Sequence, residues 1–358
     1  MEPRKLRRYV ILAEGKFGET SSKTAIGVIR YGRDTVVAIL DSTKPGRNAG
    51  EWLGGAVDIP IVATLAETLP LRPDSLLIGI APAGGKLPAA WRAIILEAIA
   101  AGMDVVNGLH EFISEDPELT AAAAAHGVTL IDHRRPPERH EVATGRPHPP
   151  GKRVVLTVGS DCASGKMTVT LELRRAAIAA GLDPVFVPTG QTGIMIEGWG
   201  VAIDRVVSDF VAGTVEWMVD EAYRMGDWIL VEGQGSIDHP AYSGVTMSLL
   251  HGTQPQAMVM VHHPTRELHH GFEAYGAQWN AHVKGVAALI PVYESIAALV
   301  APSRVLAIAL NTSGMAEGDA RRLLAATEAE TGLVTDDPVR YGAERILDAL
   351  RAGLEHLP

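Results

Sequence analysis

The sequence has little of what several protein classes require. Its 358 residues include one cysteine, which excludes an internal disulfide framework and fits a reducing cytoplasm. The 32 lysines and arginines are outnumbered by 42 acidic residues, and the net charge of -10 argues against nucleic acid as a partner, because a phosphate-tracking surface needs clustered cations. After a basic N-terminus, the apolar run Tyr9–Ala13 is too short for a signal sequence or a membrane span. We therefore expect a cytoplasmic protein that binds neither nucleic acid nor membrane.

What the sequence does contain is the pattern of an α/β protein. The hydrophobic fraction of 47% and the charged fraction of 21% are those of a globular protein, and the length suggests about two domains. Short apolar runs alternate with amphipathic stretches in both halves, as in parallel sheets with crossover helices. Residues 136–150 are rich in proline, arginine, histidine and glutamate and have no apolar period, which predicts an exposed linker. The predicted fold is two doubly wound parallel-sheet domains, at residues 1–135 and 151–358.

The apolar runs give the individual elements. Strands are predicted at residues 9–13, 35–40, 75–80, 104–107, 128–131, 154–158, 185–187, 228–231, 257–261 and 305–310. Helices are predicted from about residue 22, at 88–101, as a single turn at 121–125, after residue 165, at 202–224 and at 315–331. Ligands of such sheets bind at the carboxyl ends of the strands, so the residues that follow each strand are the candidates for chemistry.

The most informative segment is residues 159–168 (GSDCASGKMT), which we call the phosphate loop. A buried strand that enters a glycine-bounded turn and then a helix starting with Gly-Lys is typical of phosphate binding, because backbone N–H groups, the helix N-terminus and the lysine all attract an anion. Five residues rather than four separate Gly159 from Gly165, and Met167 stands where a magnesium-binding serine or threonine normally follows the lysine. The predicted cofactor-binding residues are Gly159, Ser164, Gly165, Lys166, Met167 and Thr168.

Three side chains are candidates for acid–base catalysis. Glu232 ends the apolar run 228–231 and precedes Gly-Gln-Gly, which predicts a carboxylate at the carboxyl edge of the sheet. Such a carboxylate holds magnesium in an NTPase, whereas in an acyltransferase it accepts a proton from an attacking amine. His239 is a second candidate base. Asp161, inside the phosphate loop, either caps the turn or approaches an amine substrate.

Two segments have alternative interpretations. Residues 188–195 (PTGQTGIM) follow a predicted strand and offer neutral polar groups, which are typical both of a small-ligand site and of an ordinary turn. Cys162 is interpreted as a small apolar filler in preference to a nucleophile activated by the helix N-terminus and Lys166. Residues 240–244 are predicted to form a short turn rich in hydroxyl groups.

Two further sets of residues suggest a dinucleotide site and a metal site but lack the spacing of the known motifs. Glycines and hydroxyl residues at 15–24 follow the first strand, and Asp41 ends the second, where a dinucleotide-binding sheet has its loop and its ribose ligand. However, the glycine spacing is not that of the G-x-G-x-x-G motif. The sequence also has four histidines close together, which lack an H-x-x-x-H or H-E-x-x-H pattern, so no metal site is predicted. These histidines are His262, His263, His269 and His270.

Several of these motifs occur together in one known family. They are residues 159–168, 189–195 (TGQTGIM), 209–213 (DFVAG), 232–236 (EGQGS) and 239–244 (HPAYSG), with a further match at 23–31. Together they resemble a family long catalogued as a domain of unknown function and now typified by a D-glutamate N-acetyltransferase. The resemblance implies a Rossmann-like first domain, a P-loop NTPase-like second domain and the use of acetyl-CoA. The phosphate loop and the Glu-Gly-x-Gly segment are also similar to those of dethiobiotin synthetase, which keeps a threonine directly after its lysine.

Met167 favours one of these two resemblances. Phosphoryl transfer requires magnesium, which takes a hydroxyl ligand beside the lysine, whereas holding the phosphates of coenzyme A requires only N–H groups and charge. Thr168 cannot replace the missing hydroxyl, because it lies about 100° further round the helix. The loop is therefore expected to bind a phosphate rather than to transfer one.

The resemblance implies an N-acetyltransferase that acts on the α-amino group of a small acidic amino acid. Glu232 or His239 would take the amine proton, Gln191 and Thr192 would bind the substrate or orient the thioester carbonyl, and Arg30 or Arg205 would pair with substrate carboxylates. One alternative is a ligase or kinase that uses ATP and magnesium, with Glu232 on the metal and Asn311 near the base. The other is a nucleotide-sensing regulatory module without enzyme activity. The expected partners are a small-molecule substrate and further copies of the chain.

Overall fold

The computed structural model describes residues 6–18, 22–54, 56–80, 85–138, 141–274 and 281–355. Residues 19–21 of the predicted glycine- and hydroxyl-rich segment, and residues 139 and 140 of the predicted linker, lie outside this set. The chain divides into two compact units: the first is Met1–Pro137 with Gln191–Ala202, and the second is Glu138–Gly190 with Ile203–Pro358. Across the described part of the chain, none of the helices has the length and apolar character needed to cross a membrane.

The first unit is built on a parallel sheet of six strands. They are β1 (Arg8–Leu12), β2 (Thr35–Leu40), β3 (Ile61–Val62), β4 (Ser75–Ile78), β5 (Asp104–Asn107) and β6 (Leu130–Asp132). They pair in the order β3-β2-β1-β4-β5-β6, and all neighbours are parallel. This is the strand order of a Rossmann fold. All four residues of β4 are buried, as expected for a central strand of a sheet that is covered on both faces.

Helices connect strands of this sheet, and α4 is capped at both ends. They are α1 (Lys23–Tyr31), α2 (Gly50–Leu53), α3 (Ala89–Ala100) and α4 (Pro117–His126). In α4 the Asp116 side chain accepts hydrogen bonds from two backbone N–H groups of the first turn, Pro117 occupies the first helical position, and Gly127 ends the helix with a φ of 65°. The alanine run at 121–125, which was predicted as a single turn, lies within this longer helix.

The second unit has its own parallel sheet of six strands. They are β7 (Arg153–Gly159), β8 (Pro184–Val187), β9 (Trp228–Val231), β10 (Ala257–His262), β11 (Arg304–Leu310) and β12 (Val334–Asp336). Their order is β12-β11-β10-β7-β9-β8, with parallel neighbours throughout. The helices in this part of the chain are α5 (Lys166–Ala179), α6 (Gln191–Glu197), α7 (Ser208–Ala222), α8 (Ser243–Thr253), α9 (Val286–Ala297), α10 (Glu317–Thr331), α11 (Pro338–Tyr341) and α12 (Glu344–Glu355). The core of one face joins α5 and α12 to the sheet through buried residues such as Leu173 and Leu350.

The predicted fold class, two doubly wound parallel-sheet domains, is confirmed. Some local boundaries differ from the predictions. Residues 191–195 of the segment 188–195, for which a turn was one of two interpretations, lie in α6, and the helix predicted from residue 202 begins only at Ser208, after a 3₁₀ turn at Ile203–Arg205. The turn predicted at 240–244 is present at residues 240–242, and α8 begins at Ser243. The strands β3 and β12, of two and three residues, were not predicted, because such short edge strands have no measurable apolar period.

Helix α6 belongs to the first unit although it follows β8 in the chain. The Thr192 hydroxyl lies 2.8 Å from the Thr24 hydroxyl of α1, and Arg33 pairs with Glu197 at 3.1 Å. A Cβ at Gly108 would lie within 3 Å of side-chain atoms of both Gln191 and Met195, so this glycine permits the close approach. Residues 191–202 thus lie within the first unit, whereas the predicted second domain was one continuous stretch, residues 151–358.

The linker predicted at residues 136–150 is not a free tether over its described second half. Residues 141–148, which we call the strap, lie against α7 and cover the buried carboxylate of Glu216. That carboxylate accepts hydrogen bonds from the backbone N–H groups of Thr144 and Gly145, at 2.9 and 3.0 Å, and from the Thr144 hydroxyl. The strap therefore satisfies an acid that would otherwise be buried without partners.

Replacing Gly213 by alanine tests how firmly the strap is held. A Cβ at Gly213 would overlap the carbonyl oxygen of Glu141, so the strap must move and weaken its bonds to Glu216. Helix propensity would gain about 1 kcal/mol, which is less than the loss of two buried hydrogen bonds to a charged group, each worth about 1.5–3 kcal/mol. We expect Gly213→Ala to lower Tm by at least about 3 °C in a thermal melt.

The matched control is Gly244→Ala in α8, where a Cβ would have no neighbour within 4 Å. This change should be neutral or stabilising. Equal Tm values for the two alanine variants would contradict the role given to the strap.

Candidate functional site

The phosphate loop connects the C-terminus of β7 to the N-terminus of α5. Gly165, the last residue before the helix, has a φ of 113°, which residues with a side chain rarely adopt. Ala163 has a φ of 52°, which is uncommon for a residue other than glycine. A Cβ at Gly159 would lie 3.0 Å from the Val261 carbonyl oxygen. The glycines at both ends therefore allow the loop to turn tightly over the edge of the sheet.

Part of the loop has backbone donors without acceptors among the described residues. The N–H groups of Ala163 through Thr168 donate no hydrogen bond there, whereas the N–H of Val169 bonds normally to the Gly165 carbonyl. The Ser164 hydroxyl is fully buried and also lacks a described partner. Consecutive N–H groups at a helix N-terminus, beside a buried hydroxyl, form the kind of concave site that binds phosphate. The loop thus has the donor set that the sequence predicted.

Lys166 lies beneath this loop rather than in solvent. Its ammonium donates hydrogen bonds to the carbonyl oxygens of Asp161 and Gly235, each at 2.7 Å, and only 6% of the residue is exposed. Burial lowers the pKa of Lys166 to about 8, against the opposing effect of nearby negative groups such as Asp161 and Glu232. Lys166 therefore ties the phosphate loop to the segment after β9 and brings a titratable positive charge to the site.

Asp161 is almost completely buried and is held by four donors or cations. Arg266 Nη1 lies 2.7 Å from Oδ2, the His270 N–H donates to Oδ2, the Cys162 N–H donates to Oδ1, and His269 Nδ1 lies 3.2 Å from Oδ1. Burial alone would raise the pKa of Asp161, but Arg266 and these hydrogen bonds hold it below its usual range. Its predicted part in catalysis is not tested by this geometry, which shows a carboxylate fully engaged with protein groups.

Glu232 follows β9 and faces the segment after β8. Its Oε2 accepts hydrogen bonds from the backbone N–H groups of Thr189 and Gly190, at 3.0 and 3.2 Å. The next residue, Gly233, donates to the Thr157 hydroxyl, and a Cβ at Gly233 would overlap the Thr157 carbonyl oxygen. The glycine therefore lets the chain after β9 pass close to β7 and places Glu232 at the carboxyl edge, as predicted.

His239 is completely buried, and both of its ring nitrogens have neighbours. Nδ1 accepts a hydrogen bond from the Ala241 N–H at 3.1 Å, so the ring proton of the neutral form lies on Nε2, which faces the His270 carbonyl oxygen at 3.3 Å. Burial lowers the pKa of His239. This arrangement is that of a neutral histidine that fills its place in the structure. Its role as a base stays a prediction.

The predicted substrate-binding residues are divided between the two units. Gln191 and Thr192 lie on α6 and Arg30 lies on α1, all in the first unit, whereas Arg205 lies in the 3₁₀ turn before α7, in the second. Thr192 is buried and its hydroxyl bonds to Thr24. The role of these four residues in substrate binding is not tested by these contacts and stays a prediction.

The thiol and carboxylates near the loop do not have the properties of a nucleophile or metal site. Burial raises the pKa of Cys162 to about 11, and the nearby Asp161 carboxylate raises it further, so the thiolate is disfavoured. Ligand atoms of Asp161, Cys162 and His239 lie within 4.8 Å of one another. However, the Asp161 carboxylate is paired with Arg266, and Nδ1 of His239 accepts the Ala241 N–H. These groups fit hydrogen bonding better than metal coordination.

The remaining histidines and Asp41 also have protein partners. His262 Nδ1 lies 2.7 Å from the Ser160 hydroxyl, and burial lowers the pKa of His262 to about 4. His269 lies between Asp161 and Asp238. Asp41, considered above as a ribose ligand, accepts hydrogen bonds from the backbone of the turn after β1.

Sequence reasoning missed two residues that shape the loop. Arg266, four residues beyond the end of β10, contacts Asp161 and the carbonyl oxygens of Cys162 and Ala163. The buried hydroxyl of Tyr293, in α9, donates to the Gly159 carbonyl oxygen at 2.6 Å. The position of Arg266 just after a strand was the available signal, because such positions meet at the carboxyl edge. Tyr293 has no such signal.

The pKa of Lys166 predicts how anion binding depends on pH. The ammonium is charged below about pH 8 and neutral above it, and the charged form attracts the anion. Sulfate keeps its charge over this range, so the affinity of the protein for sulfate should be constant from pH 6 to 7.5. Above pH 8 the affinity should decrease, with a slope that approaches about tenfold per pH unit. Sulfate-dependent thermal shifts measure this. Lys166→Met should bind weakly at every pH, and an unchanged wild-type affinity up to pH 9.5 would contradict the assignment.

Comparison with known proteins agrees with this architecture. The model of the C-terminal P-loop domain of the DUF1611 family, described as a domain of unknown function, matches residues 141–347, and the model of its N-terminal Rossmann-like domain matches residues 42–136. A crystal structure of a DUF1611 family protein from Anabaena variabilis aligns with a TM-score of 0.88 and 37% identity, over 97% of this chain and 99% of that one.

Two curated relatives are similar over most of the chain. A D-glutamate N-acetyltransferase from Tritonibacter scottomollicae is 36% identical over 332 residues, which cover 93% of this chain and 95% of the relative. Another from a Pseudoalteromonas species is 34% identical over 290 residues, which cover 79% and 83%. The resemblance described from the sequence motifs is confirmed. The chain therefore belongs to the DUF1611 family, with its Rossmann-like N-terminal domain and its P-loop C-terminal domain.

Proposed function

We propose that this protein is an N-acetyltransferase that moves the acetyl group of acetyl-CoA to the α-amino group of D-glutamate. Both curated relatives carry the name D-glutamate N-acetyltransferase at 34–36% identity, which supports an acetyltransferase. The finer points, acetyl-CoA as the donor and D-glutamate as the acceptor, are our proposal.

The donor set of the phosphate loop is the observation that carries the proposal. Six consecutive backbone N–H groups, Ala163 through Thr168, lack acceptors among the described residues, and the Lys166 ammonium lies beside them. Coenzyme A carries a pyrophosphate and a ribose phosphate, which require donors and positive charge. Met167 offers no oxygen ligand for magnesium, so the loop is suited to holding a phosphate rather than to transferring it.

Glu232 is the better candidate for the base that takes the proton from the substrate ammonium group. Only the free amine attacks the thioester, so a base at the site is required. The Glu232 carboxylate is oriented at the carboxyl edge by the Thr189 and Gly190 N–H groups. In His239, by contrast, the nitrogen that lacks a proton already accepts the Ala241 N–H. We therefore assign proton removal to Glu232 and a structural role to His239.

The acetyl group is proposed to pass directly from the thioester to the amine. An acyl-enzyme would need a thiolate, and Cys162 is the one cysteine of the sequence. Burial raises the pKa of its thiol to about 11, so the nucleophilic form is scarce at neutral pH. Direct attack within a ternary complex avoids this requirement.

Thermal shift and thiol release together test the proposed function. Acetyl-CoA should raise the Tm, and D-glutamate should trigger release of free thiol from acetyl-CoA in the purified protein. L-Glutamate and D-alanine test stereochemistry and the need for the second carboxylate. Stabilisation by ATP with magnesium alone, or no thiol release with any acidic amino acid, would reject the acetyltransferase and favour the ATP-dependent alternative.

Replacing Glu232 and Cys162 should separate proton removal from the acyl-enzyme route. Glu232→Gln should lower kcat by about 10²–10⁴-fold with little change in KM for acetyl-CoA, because an amide keeps the shape but does not accept the proton. Cys162→Ala should keep most of the activity. Glu294→Gln is the control, since Glu294 bonds to Arg304 and the Val305 N–H. Full activity of Glu232→Gln in a thiol-release assay would exclude Glu232 as the base.

A further inference from the structure

Arg266 makes three contacts with the phosphate loop from the segment after β10. Its Nη1 donates to the Asp161 carboxylate at 2.7 Å and to the Cys162 carbonyl oxygen at 2.6 Å, and its Nη2 lies 3.4 Å from the Ala163 carbonyl oxygen. A planar guanidinium is suited to such a set, because its donors have a fixed geometry. Arg266 thus binds both a side chain and the backbone of the loop through one guanidinium group.

The carbonyl contacts fix the direction of the neighbouring N–H groups. In a trans peptide the C=O of one residue and the N–H of the next point in opposite directions. When Arg266 holds the Cys162 and Ala163 carbonyls, the N–H groups of Ala163 and Ser164 point away from it. These are two of the N–H groups that lack described acceptors. Arg266 therefore orients part of the donor set without itself belonging to it.

The Asp161 carboxylate stabilises the positive charge of Arg266 beside the loop. The carboxylate is 1% exposed, and the His270 N–H and His269 hold it in place while it binds Arg266. Its negative charge offsets that of Arg266, so Lys166 remains the cation that gives the loop its net positive charge. An acid inside a phosphate loop, which should repel phosphate, becomes understandable as the anchor of Arg266.

We propose that Arg266 is a positioning residue of the phosphate loop and that Asp161 is its anchor rather than a base. Arg266 holds the peptide groups after Cys162 and Ala163 with their N–H groups towards the bound phosphate. This inference deepens the proposed function, on whose phosphate site it rests.

Isothermal titration of the whole chain with inorganic pyrophosphate at pH 7 tests the positioning role. Arg266→Ala should weaken binding by about tenfold to a hundredfold, and Arg266→Lys should restore part of this loss, because an ammonium reaches fewer of the three acceptors. The control is Arg175→Ala, which removes the same charge from α5, where Arg175 pairs with Glu172. Its affinity should stay within about twofold of the wild-type value.

Hydrogen exchange distinguishes positioning from general support of the fold. In the ligand-free Arg266→Ala protein, exchange should accelerate at the hydrogen-bonded loop amides of Ser160 and Cys162 and remain unchanged in β9 and β11. Unchanged pyrophosphate affinity in Arg266→Ala, or accelerated exchange throughout the second unit, would overturn the proposal. So would a wild-type protein that binds no pyrophosphate.

The variant Asp161→Asn distinguishes an anchor of Arg266 from a catalytic base. As the anchor, Asp161 acts through Arg266, so Asp161→Asn should weaken pyrophosphate binding, and combining it with Arg266→Ala should weaken binding little beyond Arg266→Ala alone. A hundredfold fall in kcat with unchanged affinity would overturn the anchor role. The pyrophosphate measurements do not depend on acetyl transfer: binding of pyrophosphate without acetyl-CoA turnover would reject the proposed function while leaving the role of Arg266 supported or refuted by its own variants.

Discussion

The site depends on two cations that bind the carbonyl oxygens of the phosphate loop. Lys166 holds the Asp161 carbonyl, and Arg266 holds those of Cys162 and Ala163. The C=O and the N–H of a trans peptide group point in opposite directions. A cation that binds the C=O therefore leaves the N–H directed to the opposite side. The left-handed φ of 52° at Ala163 is unfavourable for a residue with a Cβ, so surrounding contacts must hold it there. The loop is therefore held in its shape by contacts from segments remote in sequence.

The same edge of the second sheet supplies further supports. The Tyr293 hydroxyl donates to the Gly159 carbonyl and accepts from the Ile237 N–H, and the Asn311 amide lies 3.3 Å from the Ser164 carbonyl. These residues come from segments near or after β9, β10 and β11, so several crossover connections meet at one loop. This convergence follows from the parallel topology, since the carboxyl ends of neighbouring strands lie together. The shape of the loop thus results from several contacts with different segments of the chain.

The sequence predicted the parts of this arrangement that are local. The phosphate loop is a contiguous segment whose glycines, lysine and preceding strand encode both the turn and the ligand class, and Glu232 directly follows its strand. Arg266, about a hundred residues from the loop, has no local pattern that identifies its partner Asp161. Helix α6 was missed for a related reason: its seven residues pack on the first unit, and such long-range contacts outweigh the turn signal of its glycines.

The role predicted for His239 as a base depends on where its ring nitrogens point. A histidine after a strand end is a reasonable candidate for proton transfer, but its function depends on which nitrogen carries the proton. That is set by the backbone N–H of Ala241, two residues later. Residue type and spacing cannot indicate such a contact. The tautomer becomes evident only when the turn that begins α8 is known.

The position of the phosphate loop also limits what it can contribute to an acetyl transfer. The pyrophosphate of coenzyme A is remote from the thioester, so contacts to it are equally strong before and during the reaction, and such uniform binding lowers KM without raising kcat. Burial of Lys166 makes its charge dependent on pH near 8, and a bound phosphate would stabilise that charge. Cofactor binding and lysine protonation are then coupled, which links affinity rather than turnover to pH. Under the proposed function, rate acceleration must come from groups near the amine, which is the role that we propose for Glu232.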